Sequence, residues 1–412
     1  RVRETYLQNT PYHTGNGPIP RNEKSWEHNS AYKTDGGEKI HSNLINLLRE
    51  EVCIRQNKKI FYRTWDFGYF HINPQYYLSV TNNVEPHPNL YLCIKHVQGD
   101  YHRTYKFNPT LGIGKHKQIV EIECQREYEG KGAYPNYIAD GVLNGFEELK
   151  SDSQPYCLNQ LKSNPNFAGI WTWSRGGGWR GPYIKNELWC DINVAILANW
   201  ANRMSLPEKE LFKKYAIANG FKGKDIERFH RLSLLSADAI VRGRASLILP
   251  INVWWTRDQF IGGEKEVRQK LKTIIEQGLT HKIILEKSQS VAIWKEIVAL
   301  ADKIQTGNPE LRRYLQTSAK YGLLLYSIYE QGWIIMLKGY EGDMNGQYDT
   351  KSIRKAIDNR LWKEYKLFGE THPDCATLYE PYSFDFNKPP LYHDLKQGLN
   401  PTVDKYRITD KP

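Results

Sequence analysis

One stretch in the first half of the chain decides the fold, and it reads Ile119-Val120-Glu121-Ile122-Glu123-Cys124-Gln125. Apolar and polar residues alternate along it, so a β-strand would place Glu123 and Gln125 on one face and Ile122 and Cys124 on the other. Glu127 continues the polar face. Polar side chains that point into a barrel avoid a large burial cost only near its open end, where water reaches them. We therefore expect chemistry at the carboxyl end of this strand.

Three further short apolar segments end on polar or bulky residues in the same way, at 59–65, 90–95 and 167–173. Connections of about 25 to 45 residues between such segments leave room for a crossover helix. Strands that alternate with helices in this way are typical of a parallel sheet. Residues 43–50 have helical spacing before the first strand. The region 1–205 is therefore predicted to be α/β, and to form the later strands of a (β/α)8-type barrel that lacks its first strands.

The second half of the chain has a helical pattern. Apolar residues recur at helical spacing over 211–219, 225–247, 266–276, 291–304 and 312–337. We predict an all-helical domain over 206–371 and an irregular, proline-rich tail over 372–412. Because the chain begins at Arg1 without a methionine, we also expect that an amino-terminal part has been removed.

Composition narrows the classes of function. The net charge of +11 is spread along the chain and accompanies no nucleic-acid motif, so no nucleic-acid partner is expected. No apolar run is long enough to span a membrane. The cysteines show no CxxC pairing, which favours reduced thiols and a cytoplasmic protein, or a periplasmic or secreted one if a signal peptide preceded Arg1. Neither a metal nor another cofactor is expected, because His96, Asp100 and His102 do not have the spacing of a common metal site.

Two carboxylates, Asp100 and Glu127, follow neighbouring predicted strands. Hydrolysis of a glycosidic bond needs such a pair, and Arg63, Lys95 and His96 at the same strand ends would place cations beside it. Those cations would keep a carboxylate ionised and could bind an anionic sugar group. The alternative is a set of structural salt bridges at the top of a sheet. Further candidate substrate-binding residues are the nearby aromatic residues and one loop arginine: Tyr101, Tyr128, Trp173, Arg175 and Trp179.

These motifs resemble glycoside hydrolase family 67, the α-glucuronidases. Lys95 through Asp100-Tyr101 is similar to the family's lysine, turn, aspartate and aromatic residue, although its turn here is Val97-Gln98-Gly99. Arg126-Glu127-Tyr128-Glu129-Gly130 resembles its Gln-Glu-Tyr-x-Gly motif, and Phe61-Tyr62-Arg63 resembles the strand that carries its arginine. The segment from Trp179 onward is similar to the family's Trp-Thr-Gly segment and the helix that follows. The resemblance extends over residues 1 to 220.

The resemblance implies an inverting, exo-acting hydrolase that removes a uronic acid from a plant-type polysaccharide such as xylan. Asp100 and Glu127 would be the general bases, and Arg63 and Lys95 would hold the uronic carboxylate. Glu4 would donate the proton, with Glu27 as the second candidate for that role. The partner would be an anionic carbohydrate. The alternatives are a related exo-glycosidase for another sugar and a carbohydrate-binding relative without catalysis.

Overall fold

The computed structural model describes residues 30–65, 70–98, 106–124, 134–151, 154–173, 187–249, 264–356 and 359–372. They belong to two compact units. The first holds the described residues of Arg1–Gly99, Lys106–Ile122 and Lys150–Trp171, and the second holds those of Asp100–Tyr105, Glu123–Leu149 and Thr172–Pro412. The predicted division of the chain into 1–205, 206–371 and 372–412 stays a prediction.

The described strands and helices follow one another in the order that the sequence pattern predicts. The strands are β1 (Ile60–Arg63), β2 (Leu90–Lys95), β3 (Lys117–Glu123) and β4 (Phe167–Trp173). The α-helices are α1 (Ser30–Leu48), α2 (Pro74–Thr81), α3 (Ala139–Asn144), α4 (Leu158–Leu161), α5 (Leu188–Asn202), α6 (Glu208–Ala218), α7 (Lys224–Arg244), α8 (Glu264–Glu276), α9 (Thr280–Lys303), α10 (Pro309–Asn345), α11 (Thr350–Ala356) and α12 (Asn359–Thr371).

The four strands form one sheet in the order β1-β2-β3-β4. β2 pairs in parallel with both β1 and β3. Two hydrogen bonds join β3 to β4 in the same direction, from Gln118 N to Asn166 O and from Cys124 N to Trp173 O. The β4 side contains one more residue between these bonds, and Gly169 there has a φ of +135°, as expected at a β-bulge. The predicted parallel strands are confirmed, whereas a closed barrel of eight strands stays a prediction.

The two faces of the sheet differ in chemistry. Leu92, Ile94 and Val120 are almost fully buried on one face. Helix α2 belongs to this side, because Gln118 on the same face donates a hydrogen bond of 2.9 Å to the Tyr77 hydroxyl. The opposite face carries charged residues of the strands, among them Arg63, Lys95 and Glu121. The alternation predicted for the end of β3 is therefore present: Val120 and Ile122 face the helical side, and Glu121 and Glu123 face the other.

Apart from the ends of β3 and β4, the regular elements described in the second unit are helices. At their centre the Trp294 ring of α9 stacks on the Tyr326 ring of α10, with 5.0 Å between the ring centroids. Gly322 allows this close packing, because a β-carbon there would lie 2.3 Å from the Trp294 ring. The sequence sets both ends of α10: Asn308 caps its first turn ahead of Pro309, and Gly346 ends it at a φ of +71°.

Among the described residues, no helix combines the length and the apolar character needed to cross a bilayer. The five described cysteines are buried and unbridged: Cys53, Cys93, Cys124, Cys157 and Cys190.

Candidate active site at the strand ends

The candidate site residues divide into those that the structure describes and those that it does not. Arg63 ends β1, Lys95 ends β2, His96 follows it, and Trp173 ends β4. The predicted bases and proton donors lie outside the described residues, as do four of the predicted substrate-binding residues: Asp100, Glu127, Glu4, Glu27, Tyr101, Tyr128, Arg175 and Trp179.

Arg63 forms a bidentate ion pair with Glu121 of β3. Its Nε donates to Oε2 at 2.7 Å and its Nη2 donates to Oε1 at 2.5 Å. The register places Cys93 opposite Arg63, and this small side chain lies on the same face between the partners. The Glu121 side chain is 1% exposed and that of Arg63 is 28% exposed. Removing one partner of such a buried ion pair would leave the other charge uncompensated, which is strongly unfavourable. The bidentate pair therefore holds the guanidinium in one orientation.

Lys95 is the next cation on the same face, because it pairs with Glu121 in the register of β2 and β3. Its ammonium lies 4.0 Å from the centroid of the Trp65 ring, and the residue is only 3% exposed. A cation over an indole face in such a desolvated place is worth up to about 2 kcal/mol.

A second tryptophan lies near the guanidinium. The Arg63 Cζ is 5.7 Å from the ring centroid of Trp171 in β4, and Trp171 is 45% exposed. We call the five side chains at this end of the sheet the strand-end cluster: Arg63, Trp65, Lys95, Glu121 and Trp171. It offers charged hydrogen-bonding groups beside an accessible indole, a combination suited to binding a sugar ring.

His96 does not add a third positive charge. Burial lowers the pKa of its imidazole to about 3, with a smaller contribution from the neighbouring Lys95, and the backbone bond to Glu121 acts in the opposite direction. The ring is therefore neutral near pH 7. This corrects the expectation of three cations at the strand ends. The assignment of His96 to sugar binding stays a prediction.

The chain on both sides of segment 99–105, which carries Asp100, is joined by main-chain hydrogen bonds. Val97 and Phe107 form an isolated antiparallel bridge. Gln98 N donates to Lys106 O at 3.2 Å, and Asn108 N donates to His96 O at 2.8 Å. The described residues before and after the segment therefore lie side by side.

The sequence does not assign three members of the strand-end cluster to the site: Trp65, Glu121 and Trp171. Its pattern places Glu121 within a strand, and it fits Trp171 equally to sugar stacking and to a place in the core. The signal for Glu121 was its position two residues before Glu123 on the polar face. The register aligns Arg63 with Cys93 and Ile119, so Glu121 lies diagonally across from Arg63 on the same face. Within the described ranges, no group of three or more histidine, cysteine or acidic residues could hold a metal ion.

Comparison with known proteins adds a distant structural likeness. No protein-family model matches the chain, and no curated protein matches it. A solved structure of a GH138 enzyme targeting pectin rhamnogalacturonan II aligns with 90% of this chain at 10% identity and a TM-score of 0.46. The alignment covers 47% of that structure, so the chain spans about half of its length. That neighbour is a glycoside hydrolase of a different family from the one that the sequence motifs resemble.

Proposed function

We propose that this chain belongs to a glycoside hydrolase that removes a terminal uronic acid from an oligosaccharide with inversion, as an α-glucuronidase does. The observation that carries the proposal is the position of the strand-end cluster. Arg63 and Lys95 lie at the carboxyl end of a parallel sheet, and in the sequence Asp100 comes after β2 and Glu127 after β3. Active sites of α/β enzymes lie at this end of the strands.

Each group has a part in the proposed mechanism. Lys95 and the exposed edge of Arg63 bind the carboxylate of the sugar, and Trp171 stacks on its ring. Asp100 or Glu127 removes a proton from the attacking water, while a carboxylic acid on the other side of the bond, for which Glu4 is the candidate, protonates the leaving oxygen. Inversion needs about 6.5–9.5 Å between the base and the acid.

The ion pair with Glu121 favours a second candidate. Because Glu121 already compensates the charge of Arg63, the cluster also suits an exo-glycosidase for a neutral sugar, in which Arg63 donates hydrogen bonds to hydroxyl groups. A carbohydrate-binding relative without catalysis is the remaining alternative.

A release assay distinguishes these functions. The purified protein is incubated with glucuronate-decorated xylo-oligosaccharides and, in parallel, with uncharged aryl glycosides. Release of glucuronate, with the inverted anomer seen first by NMR, is the expected result. Hydrolysis of the neutral glycosides alone would assign the second candidate, and binding without turnover would assign the third.

A matched pair of variants tests the carboxylate site. We expect Lys95→Gln to raise KM for the anionic substrate about 10- to 100-fold, because a hydrogen bond to a charged group is lost. Lys58→Gln, on an exposed position before β1, should leave KM unchanged. Equal effects of the two variants would contradict the role of Lys95.

A further inference from the structure

The second unit contains a cavity between helices α6 and α7. Its volume is about 800 Å³, and sites for small molecules typically have about 300–1,000 Å³. The lining residues belong to α6, to α7 and to Gly223, which directly precedes α7. They include no member of the strand-end cluster, so the cavity is a candidate site of its own.

A row of side chains on α7 forms an apolar wall of this cavity. Ile226, His230 and Leu234 follow one another at intervals of four residues, so they share one face of the helix, and all three line the cavity. Leu234 is 38% exposed. Phe212 of α6 also lines the cavity, and its ring centroid is 4.4 Å from that of His230. Both helices therefore offer apolar surface to a ligand.

A buried hydrogen-bond array fixes the His230 ring. Glu208 is 6% exposed, and both of its carboxylate oxygens lie 3.1 Å from His230 Nε2. The Tyr137 hydroxyl donates to the same carboxylate. Burial and the charge of Glu208 raise the pKa of Tyr137 well above its usual value, so this hydroxyl keeps its proton. Because Nε2 is engaged by the carboxylate, Nδ1 is the ring nitrogen that can bond to a ligand.

Positive charges outnumber negative ones around the cavity. Arg231 lines it, but an ion pair with Glu296 at 2.6 Å compensates its charge. Two further acidic residues line it, Glu210 and Glu227. Four exposed lysines line it or directly flank Gly223 in the sequence: Lys209, Lys213, Lys222 and Lys224. Four lysines against two acids favour an anionic ligand.

We propose that this cavity binds a small aromatic carboxylate. A flat apolar ring between the two helices packs on Ile226 and Leu234, and the carboxylate accepts hydrogen bonds from Lys213 and from His230 Nδ1 when that ring is protonated. The proposal does not depend on the glycosidase function, because it uses no residue of the strand-end cluster.

Isothermal titration with 2-naphthoate at low ionic strength tests the proposal, and 2-naphthalenemethanol is the uncharged counterpart of this probe. We expect Lys213→Glu to raise Kd for 2-naphthoate about 10- to 100-fold, because a hydrogen bond between two charged groups is lost. Lys214→Glu is the matched control, since Lys214 is the next residue of α6, is also exposed and is not among the lining residues. It should leave Kd unchanged.

A second pair of variants tests the apolar wall. Leu234→Asn should raise Kd about 3- to 10-fold, because apolar contact with the ring is lost without a change in charge. Ile217→Asn is its control, since Ile217 is 54% exposed on α6 and does not line the cavity. Circular dichroism checks that all four variants are folded.

Three results would overturn the proposal. The first is the absence of 2-naphthoate binding to the wild type at about 1 mM, or equally tight binding of the uncharged counterpart. The second is an equal effect of each variant and its control, which would place the bound probe elsewhere. The third is a dimer in sedimentation velocity that Leu234→Asn converts to a monomer, which would make this face an interface between two copies of the chain.

Discussion

The two segments that carry the predicted bases are anchored by different means. Around segment 99–105, the main chain at Val97 pairs with the main chain at Phe107. Around segment 125–133, the carbonyls of Cys124 and Asn136 meet on the side chain of Asn193. A main-chain bridge tolerates most substitutions but depends on the sheet register, whereas a side-chain anchor depends on the identity of one residue. We call the bridge between Val97 and Phe107 the first anchor, and the contacts of Asn193 with Cys124 and Asn136, together with the buried polar residues around them, the second anchor. The first anchor should respond to changes in the sheet, and the second to changes at a few buried polar residues.

The largest effect on stability is expected for Glu121→Gln, which would test how far the first anchor depends on the sheet below it. The variant leaves Arg63 without its bidentate partner in a mostly buried place and should cost about 3 kcal/mol in the free energy of unfolding. Urea denaturation measures this cost. Glu85→Gln is the control, since Glu85 is exposed and lies 3.8 Å from Lys115. Similar effects of both variants would show that the sheet end is not rigid.

Acid should weaken the first anchor more than the second. Above the unfolded-state pKa of about 6.5, His96 is neutral in both states and pH has no effect through it. As the pH falls from 6.5 towards the folded-state pKa of about 3, the unfolded chain binds a proton that the buried ring does not, and stability is lost. The loss should be about 2 kcal/mol at pH 5. Burial also lowers the pKa of His116, which adds to the loss in the same direction.

His96→Gln identifies the contribution of this ring, because glutamine does not titrate. Thermal melts at pH 7 and pH 5 should show a smaller difference for the variant than for the wild type. An unchanged difference would mean that other groups determine the acid sensitivity.

A smaller effect is expected at the second anchor from Tyr137→Phe. The change removes the hydroxyl that donates to buried Glu208, and a buried acceptor that loses its donor costs about 1–2 kcal/mol. Tyr348→Phe is the comparison, because Tyr348 donates to Asp343 in an exposed place at 2.6 Å. If both variants lose the same free energy of unfolding, burial does not strengthen the hydrogen bond between Tyr137 and Glu208.

The smallest effect is expected for Gln98→Ala. Gln98 contributes its main-chain N–H to the first anchor, and its main-chain carbonyl lies 3.1 Å from His71 Nε2. The loss of the side chain should therefore change stability by less than about 0.5 kcal/mol. Chemical denaturation checks this. A cost above 1 kcal/mol would contradict the distinction between the two anchors.

The sequence predicts the strands well because each is a short apolar run with a clear boundary. β2 and β4 match the predicted segments, and β3 begins two residues earlier than expected. The ends of the helices are harder to predict from the sequence. Helix α9 begins at Thr280 instead of 291, because Glu286 and Lys287 are buried in its first half and interrupt the apolar pattern. Lys287 lies 3.0 Å from Glu286 and donates to the carbonyl of Arg242 at the end of α7, contacts that no local pattern reveals.

The candidate site is less predictable than the fold. The sequence indicates that Arg63 and Lys95 end strands, but it does not reveal the diagonal ion pair that Arg63 makes with Glu121 across β2. The neutral state of His96 follows from burial, which the sequence does not give. For Asn193 there was a signal: it lies four residues after Trp189 on the apolar side of α5, where an amide is out of place unless it has partners.

The contacts of Asn193 with the segment ends have a consequence for protein engineering. Among the described residues, they reach main-chain atoms of Cys124, Asn136, Ile138 and Ala139. Because every residue carries these main-chain groups, the side chains at these four positions can be varied in a library without removing the atoms to which Asn193 bonds.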